Sequence, residues 1–270
     1  MTDPMRRAAV ERFEGGQARA ADDVVAVEAP LDIRIAGDTL AITMRTPGHD
    51  RELVLGFLWA EGIIASPDDV TGLAHCGRTG DEGRENTIEV TLAPGVRIPD
   101  LGDGSVERRG TIVTSACGVC GRRTIEDLLA RFTSVRPPTG VLDLEVVMSA
   151  VARLGERQPV FASTGGTHAA SILDLSGNPI ATFEDVGRHN AVDKAVGAQV
   201  RARALPLEDR ILVVSGRASF EIVQKAIAAR IPVVASVSAA SSLAIDLAKA
   251  AGVTLLGFTR EGRATVYHRG

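Results

Sequence analysis

Apolar and polar positions change their rhythm at about residue 136. Before that point residues 24–28, 31–35 and 39–44 are rich in β-branched and aliphatic side chains. Turn signals Ala29-Pro30 and Gly37-Asp38 separate them, which predicts three short strands. From Asp50 to Ala60 the spacing changes, with Leu53 and Phe57, and Val54 and Leu58, four positions apart. This predicts an amphipathic helix capped by Asp50 and stopped by Gly62, with Trp59 on or beside the buried stripe. A further strand is predicted over 86–92, followed by a loop rich in Gly, Pro and Asp over 93–105.

After Arg136-Pro137-Pro138-Thr139-Gly140 the pattern predicts a helix over 144–154. A hairpin of strands 160–162 and 169–175 follows, turning back at Ser176-Gly177-Asn178-Pro179, and then a long helix over 189–204. Three apolar strands follow, 211–214, 233–237 and 253–257, joined by segments of helical length. Ser219 suits the cap of the first segment. In the second, Leu243, Leu247 and Ala250 recur at helical spacing before Gly252. Short apolar strands joined by helices predict a parallel sheet covered on both faces, an α/β sandwich. Two domains are expected: an α+β, strand-rich unit over 1–135 and an α/β unit over 136–270.

The 270 residues, 45% hydrophobic and 24% charged, describe a folded chain. A net charge of -4, with charges spread along the sequence, gives no electrostatic handle for nucleic acid. No apolar run approaches the roughly 18 residues of a membrane span, and the first residues hold no apolar export core. The expected location is the cytoplasm, with no membrane or nucleic-acid partner. Of the 30 basic residues 27 are arginine, whose planar fork suits phosphate.

Parallel sheets place ligands beyond the carboxyl ends of their strands. Those ends read Ser215-Gly216-Arg217, Ser238-Ala239-Ala240 and Gly257-Phe258-Thr259-Arg260-Glu261-Gly262-Arg263, a combination suited to an anion cradle. Neither G-x-G-x-x-G nor a Walker A loop is present. The polar run Glu184-Asp185-Val186-Gly187-Arg188-His189-Asn190-Ala191-Val192-Asp193-Lys194 opens the long helix, and His168 follows a Ser-Thr-Gly-Gly-Thr loop. The sharpest feature is Thr114-Ser115-Ala116-Cys117-Gly118-Val119-Cys120-Gly121-Arg122-Arg123, with a capping-box spacing of Thr124 and Asp127 behind it. A helix start and two arginines both favour thiolate. Three uses of the pair compete: a zinc site joined by His75 and Cys76, a thioredoxin-like redox pair, and a sulfur-carrying nucleophile.

The motifs at 114–121, 164–168 (Thr-Gly-Gly-Thr-His), 184–194, 215–221 (Ser-Gly-Arg-Ala-Ser-Phe-Glu) and 257–263 occur in an order that resembles the formate dehydrogenase accessory sulfurtransferase family, FdhD. Leu55-Gly56-Phe57-Leu58-Trp59-Ala60-Glu61-Gly62 is similar to that family's N-terminal helix. The resemblance implies a cytidine-deaminase-like, three-layer α/β sandwich in the C-terminal half and a homodimer. It implies a sulfurtransferase that accepts sulfur from a cysteine desulfurase as a persulfide on Cys117, with Cys120 assisting. The acceptor is molybdenum bis-molybdopterin guanine dinucleotide, destined for formate dehydrogenase and mimicked by a guanine nucleotide. Its binding residues are expected to be Phe258, Thr259, Arg260, Glu261, Gly262 and Arg263, with Ser215, Arg217, His168, Arg188 and His189. No metal ligand is expected: the His-x-Glu element of the zinc deaminases is absent, and Ala116 rather than proline precedes Cys117. The rival reading is a non-catalytic chaperone of the same cofactor, with structural or zinc-bound cysteines.

Overall fold

The computed structural model describes residues 3–76, 84–98 and 134–270, and it opens with a hairpin that the apolar pattern does not announce. Strands β1 (Met5–Glu14) and β2 (Gln17–Ala26) pair antiparallel. Their two-residue turn is Gly15-Gly16, with φ of 59° and 81°, the left-handed backbone that short hairpin loops require. Most of its side chains are exposed, including Phe13 at 74%, so no buried face imposes a period of two. The strand expected over 24–28 is the end of β2.

Strands β3 (Ala29–Ile35) and β4 (Asp38–Arg45) follow, then helix α1 (Asp50–Ala60), β5 (Val70–His75) and β6 (Thr87–Leu92). They form a four-stranded sheet in the order β4-β3-β6-β5, with β5 an addition to the predicted set. Asp50 does not cap α1. His49 holds the cap position at φ 59° without a side-chain bond, and Asp50 sits in the first turn. Its carboxylate is occupied by buried Arg45, which donates from Nε at 2.8 Å and from a terminal nitrogen at 3.0 Å.

The second half begins with α2 (Leu144–Ala152), a 3-10 turn (Arg153–Arg157) and α3 (Pro159–Thr164). The segment expected as a strand over 160–162 is therefore helical. Pro159 starts it with a pre-set φ, and the Glu184 carboxylate accepts from the free N–H groups of Val160 and Phe161 at 3.0 and 2.7 Å. Then come β7 (His168–Leu173), β8 (Pro179–Asp185), α4 (Arg188–Arg201), β9 (Ile211–Val214), α5 (Phe220–Ala228), β10 (Val233–Ser236), α6 (Ser242–Ala251), β11 (Thr254–Arg260) and β12 (Arg263–His268). The sheet order is β12-β11-β10-β9-β7-β8. Parallel pairing joins β9, β10 and β11. β7 and β12 are antiparallel to their neighbours, so the sheet is mixed where a parallel one was expected.

Both faces of this sheet are packed, as alternation requires. Leu212, Val214, Val234 and Leu255 join a core shared with α1, α4, α5 and α6. Ile211, Val213, Val233 and Leu256 face α2. On α6 the buried stripe is Ala244, Leu247, Ala248 and Ala251, while Leu243 and Ala250 are exposed, one position away from the expected set. Gly252, at φ 76°, stops the helix as predicted.

The two halves meet where α1 crosses α4. A Cβ on Gly56 would lie 1.9 Å from the Asp193 carbonyl oxygen, and one on Gly197 1.8 Å from that of Glu52, so backbone touches backbone. Buried polar groups fix this junction. Lys194 pairs with Asp185 at 2.7 Å and donates to the Thr46 carbonyl at 2.9 Å, and Asn190 donates to the Met44 carbonyl at 2.8 Å. Lys225 pairs with Asp193 at 2.6 Å. The Trp59 indole donates to the Ala228 carbonyl at 2.8 Å, which anchors α1 on the end of α5. Among the described residues no helix is long and apolar enough to cross a membrane.

Candidate functional site

At the carboxyl ends of the parallel strands lies a cavity of about 510 Å³. Ser215, Val237, Thr259 and Arg260 reach it from β9, β10 and β11. His168 joins them because β7 runs the opposite way and begins at the same edge. Leu154, Gln158 and Phe161 supply the facing wall from the α2–α3 segment.

The cavity's wall is held by specific bonds. Ser215 Oγ accepts from the Ala169 amide at 2.9 Å, and Ser236 Oγ donates to the Gly216 carbonyl at 2.7 Å, tying the loops after β9 and β10 together. Gly257 lets β11 pass close to its neighbours: a Cβ there would meet the Tyr267 ring at 2.7 Å and the Ser238 carbonyl oxygen at 3.0 Å. The Arg260 guanidinium donates to the carbonyls of Val237 and Thr259, so part of its fork is spent on the backbone. Glu184 also accepts from Thr167 Oγ1 at 2.9 Å, which locks the loop that delivers His168.

Thr259 is fully buried, and its Oγ1 has no hydrogen-bond partner among the described residues. An unmade hydrogen bond on a buried hydroxyl costs about 1–3 kcal/mol, a cost that a ligand bond would offset. His168 is held below the usual imidazole range by burial first, then by the positive charges of Arg188 and Arg217, against an opposing pull from Asp185. Its ring is therefore neutral at pH 7 in a region of positive potential. Arg188 and His168 both crowd Gly216, each about 3.4 Å from where a Cβ would sit, and Arg188 Nε is buried without a partner among the described residues.

Of the residues expected to bind the cofactor, His168, Ser215, Thr259 and Arg260 line this cavity, and Arg188 and Arg217 stand beside His168. Phe258, at φ 50°, is half exposed, and Glu261, Gly262 and Arg263 form the exposed turn into β12, with Arg263 paired across from Arg260. His189 is elsewhere: its Nε2 lies 3.1 Å from Ser219 Oγ and 3.6 Å from Glu221. That contact occupies the hydroxyl expected to cap α5, which makes no cap bond. Asp185, Asn190, Asp193 and Lys194 are buried at the junction of the two halves. Leu154, Gln158 and Phe161 were not singled out in the sequence. Their only signal is Pro159, which starts the helix carrying Phe161. Cys117 and Cys120, with the loop over 114–124 and the helix expected behind it, lie outside the described residues.

Comparison with known proteins gives a consistent assignment. The FdhD/NarQ family profile matches residues 26–270. A protein named sulfur carrier protein FdhD from Anaeromyxobacter dehalogenans is 51% identical, over all of this chain and 97% of that protein. Proteins of the same name are 44% identical in Nocardia farcinica, over 97% of this chain and 92% of that protein, and 43% identical in Mycobacterium tuberculosis, over 96% and 95%. The crystal structure of a formate dehydrogenase accessory protein from Desulfotalea psychrophila has the same fold, with a TM-score of 0.76 at 23% identity over 98% of this chain and 97% of that one. The chain belongs to the FdhD/NarQ family.

Proposed function

We propose that the chain is a sulfur carrier that binds the molybdenum bis-molybdopterin guanine dinucleotide cofactor as cargo and prepares it for formate dehydrogenase. The names of its relatives support the carrier role. The cleft at the strand ends supports a nucleotide-bearing cargo. The observation that carries this reading is the buried Thr259 hydroxyl, without a partner among the described residues, in a cavity of mixed apolar and polar lining, beside a neutral histidine and under positive potential. Leu154, Phe161 and Val237 suit the faces of a flat heterocycle, and Thr259 and Gln158 suit its polar edge. Arg217 and Arg263, both exposed and without a carboxylate partner among the described residues, suit a diphosphate.

Cys117 is the proposed sulfur-bearing residue. Its thiolate attacks the sulfane sulfur of a persulfide on a cysteine desulfurase, the donor's S–S bond breaks, and the donor cysteine leaves as thiolate. Release of that sulfur at the sulfide level takes two electrons. Attack of the Cys120 thiolate on Cys117 Sγ supplies them and leaves a Cys117–Cys120 disulfide. The protein works as a cytoplasmic homodimer in this reading.

The cleft is tested by titrating guanosine diphosphate into wild type and Thr259→Val. Loss of the hydroxyl is expected to weaken binding about tenfold, equivalent to about 1.4 kcal/mol. The same change is expected to leave the ligand-free protein as stable or more so, because an unsatisfied buried group is removed. Equal affinity in the two proteins overturns the cleft assignment. The carrier step is tested by intact mass after incubation with a desulfurase and cysteine. Wild type is expected to gain sulfur and Cys117→Ala not to, and sulfur retained by the variant overturns the role of Cys117.

A further inference from the structure

A second cavity, of about 260 Å³, opens on the α2 side of the large sheet, between the α2/3-10 segment and the β7–β8 hairpin. Its floor is apolar, built from Ala150, Leu154, Leu173 and Val213. Gly177 closes one end. At φ 79° it brings the hairpin turn against α2, where a Cβ would meet Val146 at 2.9 Å and Ala150 at 3.5 Å.

Two arginines line this cavity. Arg153 and Arg157 lie four positions apart along the 3-10 turn, are exposed, and have no carboxylate partner among the described residues. Asp174, the carboxylate beside the turn, is occupied by Asn178, which donates from its backbone amide at 2.8 Å and its side-chain amide at 3.0 Å. Buried Ser171 adds a hydroxyl, already sharing one hydrogen bond with Thr182 and with capacity for another.

We infer that this cavity binds a small amphipathic oxyanion: a carboxylate or phosphate monoester on a short apolar body. Arginine forks select a planar or tetrahedral oxyanion, and the side chains of Ala150, Leu154, Leu173 and Val213 suit a short apolar body beside it. The volume lies below the roughly 300–1,000 Å³ of pockets for drug-sized ligands, so a dinucleotide does not fit. The site is therefore separate from the cleft, although Leu154 lines both. It stands whether or not the cleft holds a nucleotide.

Calorimetric titration of the full chain with phenyl phosphate, benzoate and inorganic phosphate tests it. Saturable binding of phenyl phosphate or benzoate, about tenfold tighter than inorganic phosphate, is the expected result, and the tighter of the two names the oxyanion. The double variant Arg153→Gln, Arg157→Gln is expected to weaken that binding about tenfold or more, with its melting temperature unchanged. Ala150→Leu, which fills the floor, is expected to abolish it. Guanosine diphosphate binding in the Arg153→Gln, Arg157→Gln protein should match wild type, so failure at this site is distinguishable from failure at the cleft. The inference is overturned by absence of saturable binding at millimolar ligand, by equal affinity for inorganic phosphate, or by binding that survives both sets of substitutions.

Discussion

The two faces of the six-stranded sheet are built on different principles. One lies under α1, α4, α5 and α6, and the ionisable groups there are buried in pairs: Lys194 with Asp185, Lys225 with Asp193. The other is covered by α2 and the short segment after it, and both cavities take a wall from there, one holding Arg153 and Arg157 without a carboxylate partner and the other the Thr259 hydroxyl without a bond, among the described residues. The first face spends its charges on holding two halves of the chain together. The second leaves its charges available. A buried pair satisfied on all sides has nothing to offer a ligand, so polar residues in a motif divide into those that build the site's platform and those that face the ligand.

This contrast can be broken at its strongest point by Lys194→Met. The change leaves Asp185, fully buried, as an uncompensated charge, and is expected to cost about 3–5 kcal/mol, read as a lowered urea midpoint. A drop no larger than that of a surface substitution would mean that the pair does not lock the junction. Gly197→Ala comes next. With no room for a methyl group against the Glu52 carbonyl, α1 and α4 have to move apart, at an expected cost of about 1–3 kcal/mol. An unchanged midpoint would show that the crossing has slack.

Acidity gives a smaller effect with a definite sign. Burial pushes the Asp193 carboxyl up to about 6 from an ordinary 3.8, against the pull of Lys225. The folded chain therefore takes up this proton before the unfolded chain does, and the contribution of the group to stability grows as pH falls through the window between those values. Measured by urea unfolding at pH 7 and pH 5, wild type should gain about 1 kcal/mol relative to Asp193→Asn on acidification. A parallel pH dependence in the two proteins would contradict the raised value. At the strand-end cleft the corresponding effect is smaller still. His168 is held neutral by burial and by two arginines, so an anion in the cleft should raise its proton affinity. Titrations of guanosine diphosphate near pH 6 in buffers of different ionisation heat should then show uptake of a fraction of a proton, absent in His168→Gln.

The same division explains what was legible in the sequence. α1 and β9 to β11 follow from apolar periodicity, because each has one or two buried faces. The β1–β2 hairpin has almost none, and its only local signal is the Gly15-Gly16 pair. The segment over 160–162 looks like a strand by composition, but Pro159 and a carboxylate 24 positions away from Val160 make it a helix. Strand-end reasoning brought Ser215, Thr259 and Arg260 to one cavity, since topology decides where strand ends collect, whereas His168, at the start of an antiparallel strand, was reached through the family resemblance. It did not find Leu154, Gln158 or Phe161, whose place in the wall depends on how α2 and α3 dock. Nor did it separate Arg188 from Asp185, Asn190, Asp193 and Lys194 in the same polar run. That distinction is one of burial, and spacing along the chain carries no information about it.

The indole of Trp59, hydrogen-bonded to the carbonyl of Ala228, is the chain's only tryptophan. Its emission therefore has one source, sited where the N-terminal helix rests on the C-terminal core. A red shift or quenching during urea titration will report separation of α1 from α5, before or together with loss of helical circular dichroism. The protein thus carries its own optical gauge of whether its two halves come apart in one step or in two.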